Sequence, residues 1–273
     1  MRRRPPEIVH KLRKRANAVL RPTGLVGYFD EALVRGRAAL RPARLPEIRF
    51  AVYGQGRTGS RLLCDLLHSH PDVTCDREIL IERAFSPRGV IEAYARLAST
   101  RAHGFKFKLY QLTERQRIAD VSGFLRDLHA DGWRLIYLSR RDVVRHALSS
   151  ILRERTGVTH KFGAGKDGGF HKVRVAPDEL RRWVDQKKAR QVEERVALGD
   201  LPRLDIVYDD DLLGEEAQRR TTARVVEWLG LEPAELRADI RPNTPRRLRD
   251  LVENVDELAA AFAGTDEERF LAG

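Results

Sequence analysis

The chain has 273 residues, 42% of them hydrophobic, and carries 51 Lys and Arg against 40 Asp and Glu, a formal net charge of +11. That length and apolar content suffice for a sizeable core, in one large domain or two small ones. The charge favours an anionic ligand, a membrane surface or nucleic acid without selecting a fold. Cys64 and Cys75 are the only cysteines, which excludes a disulfide framework and a cysteine metal cluster and reads as a reduced, cytoplasmic compartment.

Residues 1–15 are basic, but no apolar run of signal-peptide or membrane-spanning length follows them, so neither secretion nor spanning is expected. Pro5 and Pro6 can open a helix with Ile8, Val9, Leu12, Ala16, Val19 and Leu20 on one face and Lys11, Arg13, Lys14 and Arg15 opposite. Such a helix either packs on the domain or lies on anionic lipid. Residues 1–46 are read as a basic, partly helical extension, ending in a linker at 41–47 with Pro42 and Pro46, and residues 47–273 as one α/β domain.

The apolar run 48–53 predicts a first strand, and Leu62, Leu63, Leu66 and Leu67 predict a helix stopped at His70-Pro71-Asp72, before a short apolar piece at 73–75. A helix follows around 88–98. Residues 104–110 alternate Phe105, Phe107 and Leu109 against Lys106, Lys108 and Tyr110, the period of a strand with one buried face and both lysines on the other. A helix at 114–130, a strand at 133–138 and a helix from Asp142 to about residue 155 come next. The glycine-rich residues 157–172 read as a loop, Pro177 opens a helix to about residue 198, residues 203–208 form a further strand, and a helix at 218–229 ends at Gly230. Strands alternating with helices predict a three-layer α/β fold, P-loop-like, with a mainly parallel central sheet flanked by helices and ligands at the carboxyl ends of the strands.

Two basic motifs stand at such ends. Gly54-Gln55-Gly56-Arg57-Thr58-Gly59-Ser60-Arg61 joins the first strand to a helix. Its glycines allow close backbone approach, and the N–H groups opening the helix are donors with partial positive charge. A triphosphate-binding loop would carry Lys-Ser/Thr after Gly59, whereas Ser60 and Arg61 stand there, so the ligand is phosphate-like but not Mg-ATP. The second motif, Ser139-Arg140-Arg141-Asp142, follows the strand at 133–138, with Ser149 eight residues beyond Arg141. Eight helical residues rise ~12 Å, so the pair shares one phosphate only if the first few form a turn.

Together the motifs resemble the sulfotransferases that use 3′-phosphoadenosine 5′-phosphosulfate, especially bacterial carbohydrate enzymes of the nodulation-factor and trehalose type, over roughly residues 48–260. The resemblance implies that Arg57, Thr58, Gly59, Ser60 and Arg61 hold the 5′-phosphosulfate and that Arg141, with Asp142 and Ser149, holds the 3′-phosphate. It further implies that Arg246 and Arg247, in Asn243-Thr244-Pro245-Arg246-Arg247-Leu248, belong to a segment closing over the nucleotide, and it matches Tyr208-Asp209 to the element after the last strand. Arg57 replaces a common lysine, Gly56 a common proline and Val143 the proline of the second motif.

Sulfuryl transfer builds charge on the departing 5′-phosphate oxygen, which loop N–H groups, Ser60 and Arg57 can meet, so the donor is expected as co-substrate with no metal. By resemblance Glu78, in Cys75-Asp76-Arg77-Glu78-Ile79, is the general base, its pKa raised by partial burial; the residues alone read as a surface glutamate paired with Arg77 or Arg83. Lys106 stabilises the sulfonate on the same grounds, and Lys108 stands where relatives place a histidine base. His68 and His70 are too sparse for a metal site, and no histidine is given catalytic duty. The expected acceptor is a small molecule, glycan or glycolipid hydroxyl, with peripheral contact to anionic membrane and no nucleic acid partner. The alternative is a P-loop nucleotide kinase or triphosphatase with a degenerate loop.

Overall fold

The structure, a computed structural model, describes residues 25–42, 44–156, 161–162, 172–241 and 247–271. The predicted basic helix at 8–20, most of the glycine-rich loop and Arg246 lie outside the described residues. Helix α1 (Val26–Ala39) leads to β1 (Ile48–Tyr53), α2 (Ser60–His68), β2 (Val73–Glu78), α3 (Pro87–Leu97) and β3 (Ala102–Phe107). A π-helical turn (Gln111–Arg115), α4 (Val121–Ala130), β4 (Trp133–Ser139), α5 (Val143–Thr156), β5 (Lys161–Phe162) and α6 (Pro177–Leu198) follow. The chain continues through β6 (Arg203–Val207), the single turn α7 (Tyr208–Asp211), α8 (Glu215–Leu229), β7 (Ile240–Arg241) and α9 (Val255–Ala261).

The central sheet runs β2-β3-β1-β4-β6 with every pairing parallel. Alternate residues of β1 feed opposite layers: Phe50 and Val52 pack with Leu63 and Leu67 of α2 and Val225 and Leu229 of α8, while Ala51 and Tyr53 pack with Ile91 of α3, Leu125 and Leu128 of α4 and Leu198 of α6. Parallel strands need such crossovers, and both faces are therefore covered. From β1 the chain leaves to one side for β2 and β3 and later crosses to β4 on the other. The carboxyl end of β1 is thus a topological switch point, where this fold class leaves a crevice.

Three elements depart from expectation. β3 spans Ala102–Phe107, ends before Lys108, and is buried at all six positions instead of on one face, because helices cover both faces of the sheet: Ala102 packs in the α2–α8 layer, Phe105 and Phe107 in the α3–α4 layer. The short piece at 73–75 is a full strand reaching Glu78, which makes the sheet five-stranded. The helix expected at 114–130 is split: Arg117 adopts φ 56°, and Asp120 caps a new start by accepting from Gly123 N at 2.7 Å. Helix α1, inside the N-terminal 46 residues, packs Val34 and Ala38 against Ala93 of α3. The buried Glu31 carboxylate accepts from Phe85 N and Ser86 N at 2.6 and 3.1 Å.

Candidate anion-binding site

The loop from Gly54 to Gly59 is built from conformations that few side chains tolerate. A Cβ on Gly54, at φ 152°, would stand 2.1 Å from the Leu138 carbonyl oxygen, and one on Gly59, at φ 80°, would meet the Tyr208 ring at 2.5 Å. Arg57 itself is held at φ 71°, a strained value for a side-chain-bearing residue. Thr58 Oγ1 donates to Gln55 O at 2.7 Å, and Gln55 Nε2 donates to Lys187 O at 3.0 Å. His146 of α5, wholly buried, bonds Gly56 O through Nε2 at 2.7 Å. A carbonyl only accepts, so Nε2 carries the proton; burial, with Lys187 and Arg140 nearby, pushes the imidazole pKa well down and keeps it neutral.

The two motifs meet here. Arg57 Nε donates to Ser149 Oγ at 2.9 Å, joining the loop to α5, and Arg140 Nη1 donates to Arg57 O at 3.3 Å. Burial, then Arg153 and Arg140, lowers the Arg57 pKa, the signature of cations gathered together. Arg140 also lies over the Tyr208 ring at 4.8 Å. Asp209 Oδ2 accepts from Arg141 N at 2.7 Å, so the Tyr208-Asp209 element is wedged between both motifs. Asp142 caps α5 by accepting from Arg145 N at 2.8 Å.

Two predicted residues are placed differently from the loop cluster. The Arg141 guanidinium is half-exposed and bidentate on Asp210 at 2.8 and 2.6 Å. Arg61 turns along α2 to Asp65, Nε to Oδ2 3.7 Å. Thr58 and Ser60 are buried at the opening of α2, and Arg247 is exposed.

Glu78 ends β2, opposite Lys106 in register. Its Oε1 faces Lys106 Nζ at 3.2 Å and Lys108 Nζ at 3.0 Å, and its Oε2 accepts from Gln111 Nε2 at 3.0 Å. Burial alone would raise its pKa, but Lys108 and Lys106 outweigh burial and hold it below the usual carboxylate range, the reverse of the expected shift. Lys108 also adjoins the loop, its Cε 3.5 Å from where a Gly56 Cβ would stand. Burial and the Glu78 charge raise the Tyr110 pKa.

Sequence reasoning assigned no role to Gln55, Arg140 or His146. The first two lay in plain view inside the motifs. His146 carried a readable signal, an imidazole one helical turn before Ser149. Among the described residues no cluster of three or more His, Cys, Asp or Glu could hold a metal, and no helix is long and apolar enough to cross a membrane.

The fold and site define an α/β protein with a tightly packed strand–loop–helix turn, gathering basic side chains, at the carboxyl edge of a parallel sheet. No known family model matches the sequence, and no curated protein matches it. Among solved structures, the chain is similar to a sulfotransferase from Alicyclobacillus acidocaldarius at 14% identity and a TM-score of 0.46, over 81% of this chain and 94% of that one.

Proposed function

We propose that the chain is a sulfotransferase that moves the sulfuryl group of 3′-phosphoadenosine 5′-phosphosulfate to an acceptor hydroxyl on a carbohydrate or glycolipid. The observation that carries this reading is the 2.9 Å bond from Arg57 to Ser149, which brings the two motifs together at one place. The loop N–H groups, Ser60 and Arg57 meet the 5′-phosphosulfate; Ser149 meets the 3′-phosphate, with Arg141 exchanging Asp210 for it. Arg246 and Arg247 supply the closing segment.

In the reaction the acceptor oxygen bonds to sulfur while the bond from sulfur to the 5′-phosphate oxygen breaks, leaving its electron pair on that phosphate. Fixed donors stabilise this charge without reorganising. Glu78, ionised at neutral pH, takes the acceptor proton, and Lys106 balances charge on the sulfonate. The site works in the cytoplasm, with the basic N-terminal segment favouring acceptors in an anionic membrane.

Donor labelled in its sulfonate, offered to fractionated lipids, glycans and metabolites, is expected to label a glycan or glycolipid fraction, and label in none of them contradicts the reading. Arg141→Ala is expected to weaken the donor roughly tenfold or more while sparing adenosine 5′-phosphosulfate. Equal losses count against a 3′-phosphate contact.

A further inference from the structure

Along α6 the residues Leu180, Val184, Lys187, Gln191, Glu194 and Leu198 recur every three or four positions. They form its inward stripe, with Lys187 and Gln191 half-buried and the other four buried. Such a stripe is ordinarily apolar, yet its middle three members are polar. They stand beside the loop: Gln55 donates to the Lys187 carbonyl and lies close enough to the Glu194 side chain to draw its pKa down against burial. Tyr137 Oη donates to Glu194 Oε2 at 3.2 Å. Burial pushes the Glu194 pKa up to about 8, so it is no full counter-charge at neutral pH.

The Lys187 ammonium lies 5.1 Å from the Trp183 ring centroid, and among the described residues no carboxylate stands at ion-pair distance from it. Lys108, beyond the end of β3, and Arg153 of α5 repel it; Glu194 on its own helix and Glu154 of α5 attract it; His146 of α5 is also within its field. Burial, helped by Lys108 and Arg153, lowers its pKa to about 8. Cations held together in a partly dry space repel one another, and an anion placed among them turns each repulsion into attraction. At the loop the Gln55–Gly56 end has the Lys108 ammonium against Gly56 and the Lys187 carbonyl bonded to Gln55, with the Lys187 ammonium close enough to Lys108 to be repelled by it, whereas the Gly59 end is closed by Tyr208; the Gln55–Gly56 end is therefore the cationic one, where a terminal sulfonate fits.

We propose that Lys187 is a further catalytic residue whose ammonium meets the transferring sulfonate beside Lys108, with Gln55 and Glu194 as its positioning pair. This rests on the donor reading above and adds to it a cation from α6. Lys187 makes and breaks no bond; it neutralises sulfonate oxygens while sulfur changes partners.

Calorimetry on the full chain tests it with two probes, the phosphosulfate donor and adenosine 3′,5′-bisphosphate, which lacks the sulfonate. Lys187→Met is expected to weaken the donor roughly tenfold or more and the bisphosphate less than about threefold. At about pH 8.5 the wild-type chain is expected to take up protons as the donor binds, read from buffers of different ionisation enthalpy, because the anion favours charged Lys187. Lys187→Arg, always charged, should bind the donor with that uptake clearly reduced, since only Glu194 is left titrating near pH 8 there. Equal losses for both probes, or proton uptake that persists undiminished in Lys187→Arg, overturn the proposal; the arginine variant decides alone should the methionine variant fail to fold. A wild-type chain that binds neither probe overturns the donor reading itself, an outcome distinct from normal binding that ignores Lys187.

Discussion

Two ammonium groups on one carboxylate oxygen govern how Glu78 can act. They keep it ionised, so the basic form is always on hand, and they make it a weaker base than burial alone would. Glu78→Gln is therefore expected to lower turnover by about 10²–10⁴-fold while donor affinity, read by calorimetry, stays close to wild type. Unchanged turnover contradicts the base assignment. A depressed carboxylate keeps its charge, and the stability its partners supply, until pH falls through its folded-state value. The acid limb of activity is thus expected below the usual carboxylate range, and Lys108→Ala should move that limb upward by removing the strongest cation. The residues themselves were legible: loop, second arginine motif, Glu78 and both lysines could all be named from sequence. The sign of the Glu78 shift was not, since it depends on β2 and β3 pairing to set two lysines on one carboxylate.

The loop and its neighbouring elements form one construction. Gly54 lies against the β4 backbone and Gly59 against the first residue of α7, so the loop's path is set by close packing on two sides. Gly54→Ala is expected to cost about 1–3 kcal/mol in chemical denaturation and to reduce donor binding with it. A fully stable variant that binds normally would mean the loop's shape is not constrained there. Strand β1, α6 and the Gly230 stop of α8 were readable because period, proline and glycine all point the same way. The span and burial of β3 and the start of α4 were not. A strand's second buried face depends on which helices pack over it, and the break before α4 depends on Arg117 and Asp120, local features that periodicity overlooks.

Across the molecule, charge excess is partly concentrated where the sheet opens, while an acid is buried beneath it. Glu194, with its pKa raised from 4.5 to about 8, stabilises the fold fully below its unfolded value, and that contribution is lost as pH rises through 8. Melting temperature should therefore fall between about pH 5 and about pH 8.5 in the wild type and fall less in Glu194→Gln. Identical slopes would place Glu194 in a polar environment instead. The α/β class and parallel sheet followed from the strand–helix alternation. The strand order, and with it the meeting of residues 57 and 149, needed the three-dimensional structure, because no local pattern says which strands become neighbours. Titration calorimetry with adenosine 3′,5′-bisphosphate, set beside Mg-ATP, examines that meeting. The bisphosphate is expected to bind without metal and in preference to Mg-ATP, with Arg57→Ala and Ser149→Ala each weakening it, the arginine change roughly tenfold or more. No heat from the bisphosphate, or tighter binding of Mg-ATP, would contradict a site made for a nucleotide charged at both ends.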